Sequence, residues 1–288
     1  MRKIYLDDAA TTCVQPEVVR AMMPYFSLEY GNPSSTHKLG ERAQKAVDNA
    51  RAVLAKKINA RPWEIYFTSG LSESVNWTLQ GLARAYPKKD KIIVSAIEHA
   101  AIMECCSFLG KNKYRIVKIG VNKDGVIDFK ELSKKIDSDT LIVSIMHANN
   151  VIGTIQDIRK IGELCRKNNV LFHTDAAQSF CKLAIDVKKM HIDLLSASAH
   201  KIGGSKGIGI LYARDGVKIE PLIFGGGQER GLRGGTENVP AIAGFAKAVE
   251  LAGKVNKKKI EKIRDELIKK LEGIGGVING PRDNESRL

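Results

Sequence analysis

The sequence predicts an α/β fold in which a mostly parallel sheet is sandwiched by helices. Two observations carry this. The apolar runs KIIVSA (91–96), TLIVSIMH (140–147), VLFHTDAAQ (170–178) and DLLSASAHK (193–201) have strand length but lack the alternation of a half-exposed strand, so both faces must be covered. Between them lie segments with apolar residues at helical spacing, HAAIMECCSFLG (99–110), DFKELSKKI (128–136) and DIRKIGELCRKNN (157–169). Strands and helices in that alternation wind as right-handed crossovers onto one sheet.

Taken in order, PEVVRAMMPYF (16–26) reads as a helix with Pro16 suited to its first turn, and YGNPSSTHKLG (30–40) as a loop. ERAQKAVDNARAVLAKKI (41–58) is a helix with Ala46, Ala50, Val53 and Leu54 on one face. Ile65–Thr68 is a short strand running into a turn, and LSESVNWTLQGLARAY (71–86) the helix after it. YRIVKI (114–119) and GIGILYA (207–213) complete the strands, and Asp128 opens the helix that follows it. Beyond the glycine-rich GGGQERGLRGGTENVP (225–240), a helix is expected over Ala241–Ala252. A lysine-rich amphipathic helix follows, with Ile260, Ile263, Leu267 and Leu271 on its apolar side, and Cys181 is expected in a helical segment. GGVINGP (275–281) reads as a strand entering a turn. The organisation expected is an N-terminal segment (1–15), a large domain (16–252) and the start of a second domain (253–288).

Composition narrows the function classes. With 43% hydrophobic and 27% charged residues, the chain is an ordinary globular protein, and no apolar run reaches membrane-spanning length. The N-terminus shows no signal-peptide core, so a cytoplasmic location is expected. The five cysteines form no CxxC pair and no metal-ligand spacing, which points to reduced thiols and no metal. The net charge of +14 raises nucleic acid as a partner. The lysines are spread along the chain, however, and no zinc-finger or RNA-binding signature accompanies them. A solvated surface is the better reading.

Ligands of open α/β sheets bind outside the carboxyl ends of the strands. Those ends here carry Thr68-Ser69-Gly70 with Ser72, Glu98-His99, His147 with Asn149-Asn150, Asp175 with Gln178, and Ser198-Ala199-His200-Lys201. Each has a bland explanation: a helix cap, a turn, a satisfied core histidine, a solvated turn lysine. Together they fit pyridoxal 5′-phosphate (PLP). Gly70-Leu71-Ser72 at a helix N-terminus suits a phosphate, and Asp175 suits a protonated pyridine nitrogen. Lys201 supplies an amine for the aldehyde, and His99 can stack on the ring and move protons. Asn150 and Gln178 can hydrogen-bond the phenolic oxygen.

The segments YLDDAATT, YGNPSSTH, FTSGLSES, EHAAI, VSIMHANNVIGTIQDI, FHTDAAQ, SASAHKIGGSKGIGILY, GGGQERGLRGGTENVP and INGPRD run the length of the chain. In that order they resemble the NifS/IscS-type cysteine desulfurases, class V aminotransferases among the fold-type I PLP enzymes. The resemblance implies Lys201 as the cofactor lysine, Asp175 as pyridinium partner and His99 as acid/base. It implies Asn150 and Gln178 at the cofactor oxygen, and Ser72, Ser198 and His200 at the phosphate. Thr236 would reach the phosphate of the other subunit of a homodimer, and Asn32 with Ser34-Ser35 lies on the substrate-side loop. The implied reaction converts L-cysteine to L-alanine and passes sulfur to an iron–sulfur scaffold or another acceptor protein.

Departures from the family pattern are LS at 71–72 in place of AT, Val151 in place of an acidic residue, and GGSKG in place of YGPKG. A larger one concerns the sulfur-accepting cysteine. The family carries it on a loop beyond INGPRD, and none of the five cysteines matches that loop. The expectation is therefore a chain that holds the cofactor machinery but lacks the cysteine loop, with an incomplete small domain. Selenocysteine lyase, cysteine sulfinate desulfinase and a non-catalytic PLP-binding scaffold stand as alternatives.

Overall fold

The computed structural model describes residues 4–253, 255, 257–283 and 286–288. Lys254, Asn256, Asn284 and Glu285, which fall in the expected second domain, lie outside the described residues, as do residues 1–3 of the expected N-terminal segment.

Seven strands build one sheet: β1 (Ile65–Thr68), β2 (Lys91–Ser95), β3 (Arg115–Ile119), β4 (Thr140–Ser144), β5 (Leu171–Asp175), β6 (Leu194–Ser198) and β7 (Gly209–Ala213). Their spatial order is β1-β7-β6-β5-β4-β2-β3. All neighbours are parallel except β7, which runs antiparallel to both β6 and β1. The reversal follows from chain length. Only residues 199–208 join β6 to β7, too few for the helical crossover that a parallel return requires. Every residue of β2, β4, β6 and β7 is buried, as their unbroken apolar runs predict.

One face of the sheet is covered by α3 (Lys38–Lys57), α7 (Ile158–Lys167) and α8 (Val239–Ala252), through Leu54, Ile161 and Phe245. The other is covered by α4 (Leu71–Ala85) and α5 (Ala100–Lys111), through Trp77, Leu82 and Ile102. The short α6 (Phe129–Lys135) opens on Asp128, whose carboxylate accepts from the N–H groups of Lys130 and Glu131.

Several boundaries differ from the sequence reading. The helix expected over 16–26 is split into α1 (Pro16–Met22) and α2 (Pro24–Ser27), because Pro24 has no N–H to continue the ladder. Helix α3 starts at Lys38 because the His37 ring accepts the Gly40 N–H and caps it. Cys181 sits in a turn with φ 63°, not in a helix. Residues 277–280 form no strand; Val277 is 85% exposed and pairs with no strand among the described residues, and an isolated bridge joins Thr154 to Arg287. The lysine-rich helix, α9 (Lys257–Glu272), buries none of its residues, so its apolar face is exposed. No helix among the described residues is long and apolar enough to cross a membrane.

Candidate active site

The antiparallel hairpin β6–β7 and the adjoining β1 bring three chain segments to one sheet edge. Thr68 and Ser198 both pair with Gly209. A Cβ at Gly209 would lie 2.7 Å from the Ala197 carbonyl oxygen and from the Gly70 Cα, so only glycine lets the β1 turn close against β6. Gly70 itself has φ 153°, a conformation side chains resist, and it turns the chain from β1 directly into α4. No side chain caps α4. Its first-turn N–H groups stand at the mouth of a cavity of about 520 Å³ lined by Ser69–Glu73, His99, Ala177, Ser198, His200, Lys201 and Lys206.

Lys201 follows β6 in a single helical turn that aims its amine across the cavity. The Nζ donates to the carbonyl oxygens of Ala9 (2.5 Å) and Ala10 (2.8 Å). Desolvation holds its pKa below the ordinary lysine range, against the pull of Asp175 and Asp7. Residues 9–12 are tied down around it. The Thr11 hydroxyl meets His200 Nδ1 at 3.1 Å, and the Thr12 hydroxyl donates to the His200 carbonyl at 2.8 Å. That same hydroxyl accepts from the Gly203 N–H at 2.7 Å. The N-terminal segment is thus a wall of the site.

Asp175 ends β5 beneath the cavity, 3% exposed, with the Ala177 N–H donating to its Oδ1 at 2.8 Å. Burial pushes its carboxyl up to about 6, against the opposing effects of that N–H, His99 and Lys201. A buried carboxyl in this position is destabilised as an anion until a cation faces it. His99 is the N-cap of α5; its Nδ1 accepts from the Ala101 N–H at 3.1 Å, which places the ring proton on Nε2. Gln178 is buried and its amide donates to the Ala9 carbonyl (2.8 Å) and accepts from Lys182 (3.3 Å). Lys182, absent from the sequence reading, is held low by desolvation and by its neighbour Lys201.

The structure therefore gathers Ser72, His99, Ser198, His200 and Lys201 on one cavity, with Asp175 and Gln178 against it. Asn150, Thr236 and Asn32 do not line it within the single chain. Asn150 is exposed beside the buried Asn149, whose side chain holds the turn through the Val151 and Ile152 N–H groups. Thr236 is exposed on the 225–238 loop, and Asn32 is exposed in a turn where it accepts from the Ser34 N–H. The sequence signals for the wall at residues 9–12 and for Lys182 were DAATT and the position of Lys182 four residues after Gln178.

The residues present fit PLP on structural grounds. An uncapped helix N-terminus with Ser72 and Ser198 hydroxyls suits the phosphate, a buried carboxyl in no ion pair among the described residues suits the pyridinium nitrogen, and a partly desolvated amine suits the aldehyde carbon. No cluster of metal-ligating side chains exists among the described residues.

All five cysteines are free, Cys13 exposed and the other four buried. Burial raises the thiol pKa to about 11 at Cys105 and about 12 at Cys106 and Cys181, and raises Cys165 further.

The family model for aminotransferase class V matches residues 4–282. The cysteine desulfurase IscS of Clostridium botulinum is 45% identical over 293 aligned residues, spanning all of this chain and 74% of that protein. The mitochondrial cysteine desulfurase of Saccharomyces cerevisiae is 48% identical, over 94% of this chain and 56% of its own length. Among solved structures, a NifS-like protein superposes with a TM-score of 0.96 at 41% identity, covering all of this chain and 80% of the other. SspA in complex with cysteine superposes with a TM-score of 0.87 at 42% identity, over 92% of this chain and 78% of the other. The chain belongs to the class V aminotransferase family, in its NifS/IscS-type cysteine desulfurase branch, whose members share the fold-type I architecture and use pyridoxal 5′-phosphate.

Proposed function

We propose that this chain removes sulfur from L-cysteine, leaving L-alanine, with Lys201 as the cofactor lysine and substrate base. The observation that carries the reading is the partly desolvated Lys201 amine on a cavity shared with His99, with the buried Asp175 bonded to the cavity-lining Ala177 and near enough to feel both charges. Bound there, PLP supplies an aldehyde carbon for amines and an electron sink for the substrate α-carbon. Ser72, Ser198, His200 and the first turn of α4 would hold the phosphate. Asp175 would keep the pyridine nitrogen protonated, Gln178 would take the phenolic oxygen, and Asn150 would do so only on a movement that brings its exposed turn to the cavity. His99 presents its Nε2–H at the cavity, placed to give and take a proton near the substrate. Lys201 would be the base that takes the substrate α-proton, and the Ala9 and Ala10 carbonyls, which accept from its Nζ, would hold the resulting ammonium in reach.

The sulfur atom leaves cysteine for a thiol, giving alanine and a persulfide, and that step needs a thiolate. Buried thiols with raised pKa such as Cys105, Cys106, Cys165 and Cys181 are unsuited to it. The same observation favours a second reading, a PLP-binding scaffold without turnover.

Thr236, exposed on its loop, supports a homodimer in which it reaches the partner's phosphate, and Asn32 is assigned to the substrate side. The acceptor in this reading is an iron–sulfur scaffold or another sulfur carrier, and five free cysteines suit the cytoplasm. Residues 1–15, 16–252 and 253–288 are read as an N-terminal segment, a large cofactor-binding domain and part of a second domain. Incubating the PLP-loaded chain with L-cysteine and a reducing thiol tests the activity. Alanine formed in step with sulfide supports it; a fully loaded chain that forms neither supports the scaffold.

A further inference from the structure

Glu98, buried immediately before His99, is used by none of the steps above. One oxygen, Oε1, accepts both the Ser95 hydroxyl (2.5 Å) and the Met146 N–H (2.9 Å), and the other, Oε2, is buried with no partner. A proton on the unpartnered Oε2 leaves Oε1, with its two donors, as the carbonyl oxygen of a neutral acid, and the unpaired hydroxyl this buries costs less than an unpaired charge would. An ionised carboxylate would leave a buried charge on the unpartnered oxygen. The connections run further. The Asn149 amide donates to the Ile97 carbonyl at 3.1 Å, and the His147 N–H donates to the Asp175 carbonyl at 2.9 Å. Glu98 therefore sits at the joint between the turn carrying His99, the turn carrying Asn149-Asn150, and the end of β5 carrying Asp175.

We propose that Glu98 is a positioning residue that acts as a neutral acid, bridging the His99 and Asn150 turns while leaving the buried negative charge of the site to Asp175. The proposal rests on the site reading above. The titratable groups acting on or beside Glu98 are Asp175 from β5 and Cys106 from α5, with His99 and Lys201 acting on Asp175. Desolvation, with Asp175 adding to it, pushes the Glu98 carboxyl up to about 8. In the unfolded chain the same carboxyl is ionised above about pH 4.3. Between those values the folded state binds more protons, so this group's contribution to stability falls as pH rises.

The test compares the wild-type chain with Glu98→Gln and Glu98→Ala at about pH 6 and about pH 9. Glutamine keeps the acceptor and a neutral second atom; alanine removes the bridge. In cofactor-free protein, the wild-type denaturation midpoint should fall over this range more steeply than that of Glu98→Gln. In PLP-loaded protein, the visible circular dichroism of the cofactor should weaken at the higher pH in wild type but not in Glu98→Gln, and Glu98→Ala should show it weakened at both. Parallel wild-type and Glu98→Gln stability profiles would overturn the neutral-acid claim, and equal dichroism in Glu98→Gln and Glu98→Ala would overturn the bridging claim. Should wild type bind no PLP at all, the site reading fails, and the stability comparison still decides whether Glu98 is neutral.

Discussion

At the scale of single residues, the site is a set of groups held in states they would not choose in water. Asp175 is a buried carboxyl whose proton affinity is raised until a cation arrives, and Lys201 is an amine eased toward neutrality by desolvation. Replacing Asp175 with asparagine should separate structure from function. The folded pKa near 6 exceeds the ordinary aspartate value, so the cost of Asp175 to stability grows as pH rises from about 4 to 6 and stays at its full value through the neutral range above. Cofactor-free Asp175→Asn should therefore unfold at higher denaturant than wild type at pH 8, while its turnover with L-cysteine falls by roughly two orders of magnitude or more. A variant both less stable and fully active would contradict the assignment. Much of this scale was legible in the sequence, because strand-end position alone placed His99, Asp175, Ser198 and Lys201. What was not legible depends on contacts across the whole chain. The Ala9 and Ala10 carbonyls meet Lys201 from more than 190 positions away, and the neutrality of Glu98 appears only once its two donors are known.

Among the elements, β1 is an edge strand that must hold still the turn at Ser69–Ser72 that lines the cavity. Its outer edge is closed by side chains instead of another strand. The Ile65 carbonyl accepts from Arg51 (2.6 Å) and Arg230 (2.9 Å), and the Phe67 N–H donates to Glu229 (3.0 Å). Arg51 and Glu229 are themselves a buried, two-armed ion pair at 2.7 and 2.8 Å. This clamp also fixes the loop that carries Thr236, which Arg233 fastens to Glu73 at the start of α4. Removing one partner of a buried pair leaves an uncompensated charge, at a cost of about 3–5 kcal/mol. Arg51→Met should lower stability by about that much in denaturant unfolding, and Arg51→Met with Glu229→Gln should recover part of the loss. A single variant within about 0.5 kcal/mol of wild type would show that the clamp is not what holds the edge. The apolar runs announced every strand, but this edge gave no sequence signal, since Arg51 and Glu229 are 178 residues apart. The split at Pro24 was written in the sequence, by contrast, in the missing N–H of that residue.

For the molecule as a whole, one sheet edge collects the chemistry while the opposite requirements of burial organise the rest. The chain spans about three-quarters of the Clostridium botulinum relative, and within it α9 shows the apolar residues Ile260, Ile263 and Leu267 to solvent. The helix itself was predictable from its 3.6-residue pattern; whether the apolar face would find a partner was not, because periodicity marks a face and not what covers it. The dimer reading makes a prediction at this scale. Sedimentation of the PLP-loaded chain should show a twofold-mass species, and Thr236→Ala should raise the dissociation constant for PLP by about tenfold, or about 1.4 kcal/mol, without unfolding the subunit. A strictly monomeric chain that binds PLP as tightly with alanine at 236 would contradict it. The most direct test of the central claim is reductive trapping: the purified chain, supplied with PLP, is treated with borohydride, digested and mapped by mass spectrometry. The account predicts a single pyridoxyl adduct on Lys201, lost in Lys201→Ala; a folded chain that carries no adduct, or carries it on another lysine, would contradict it.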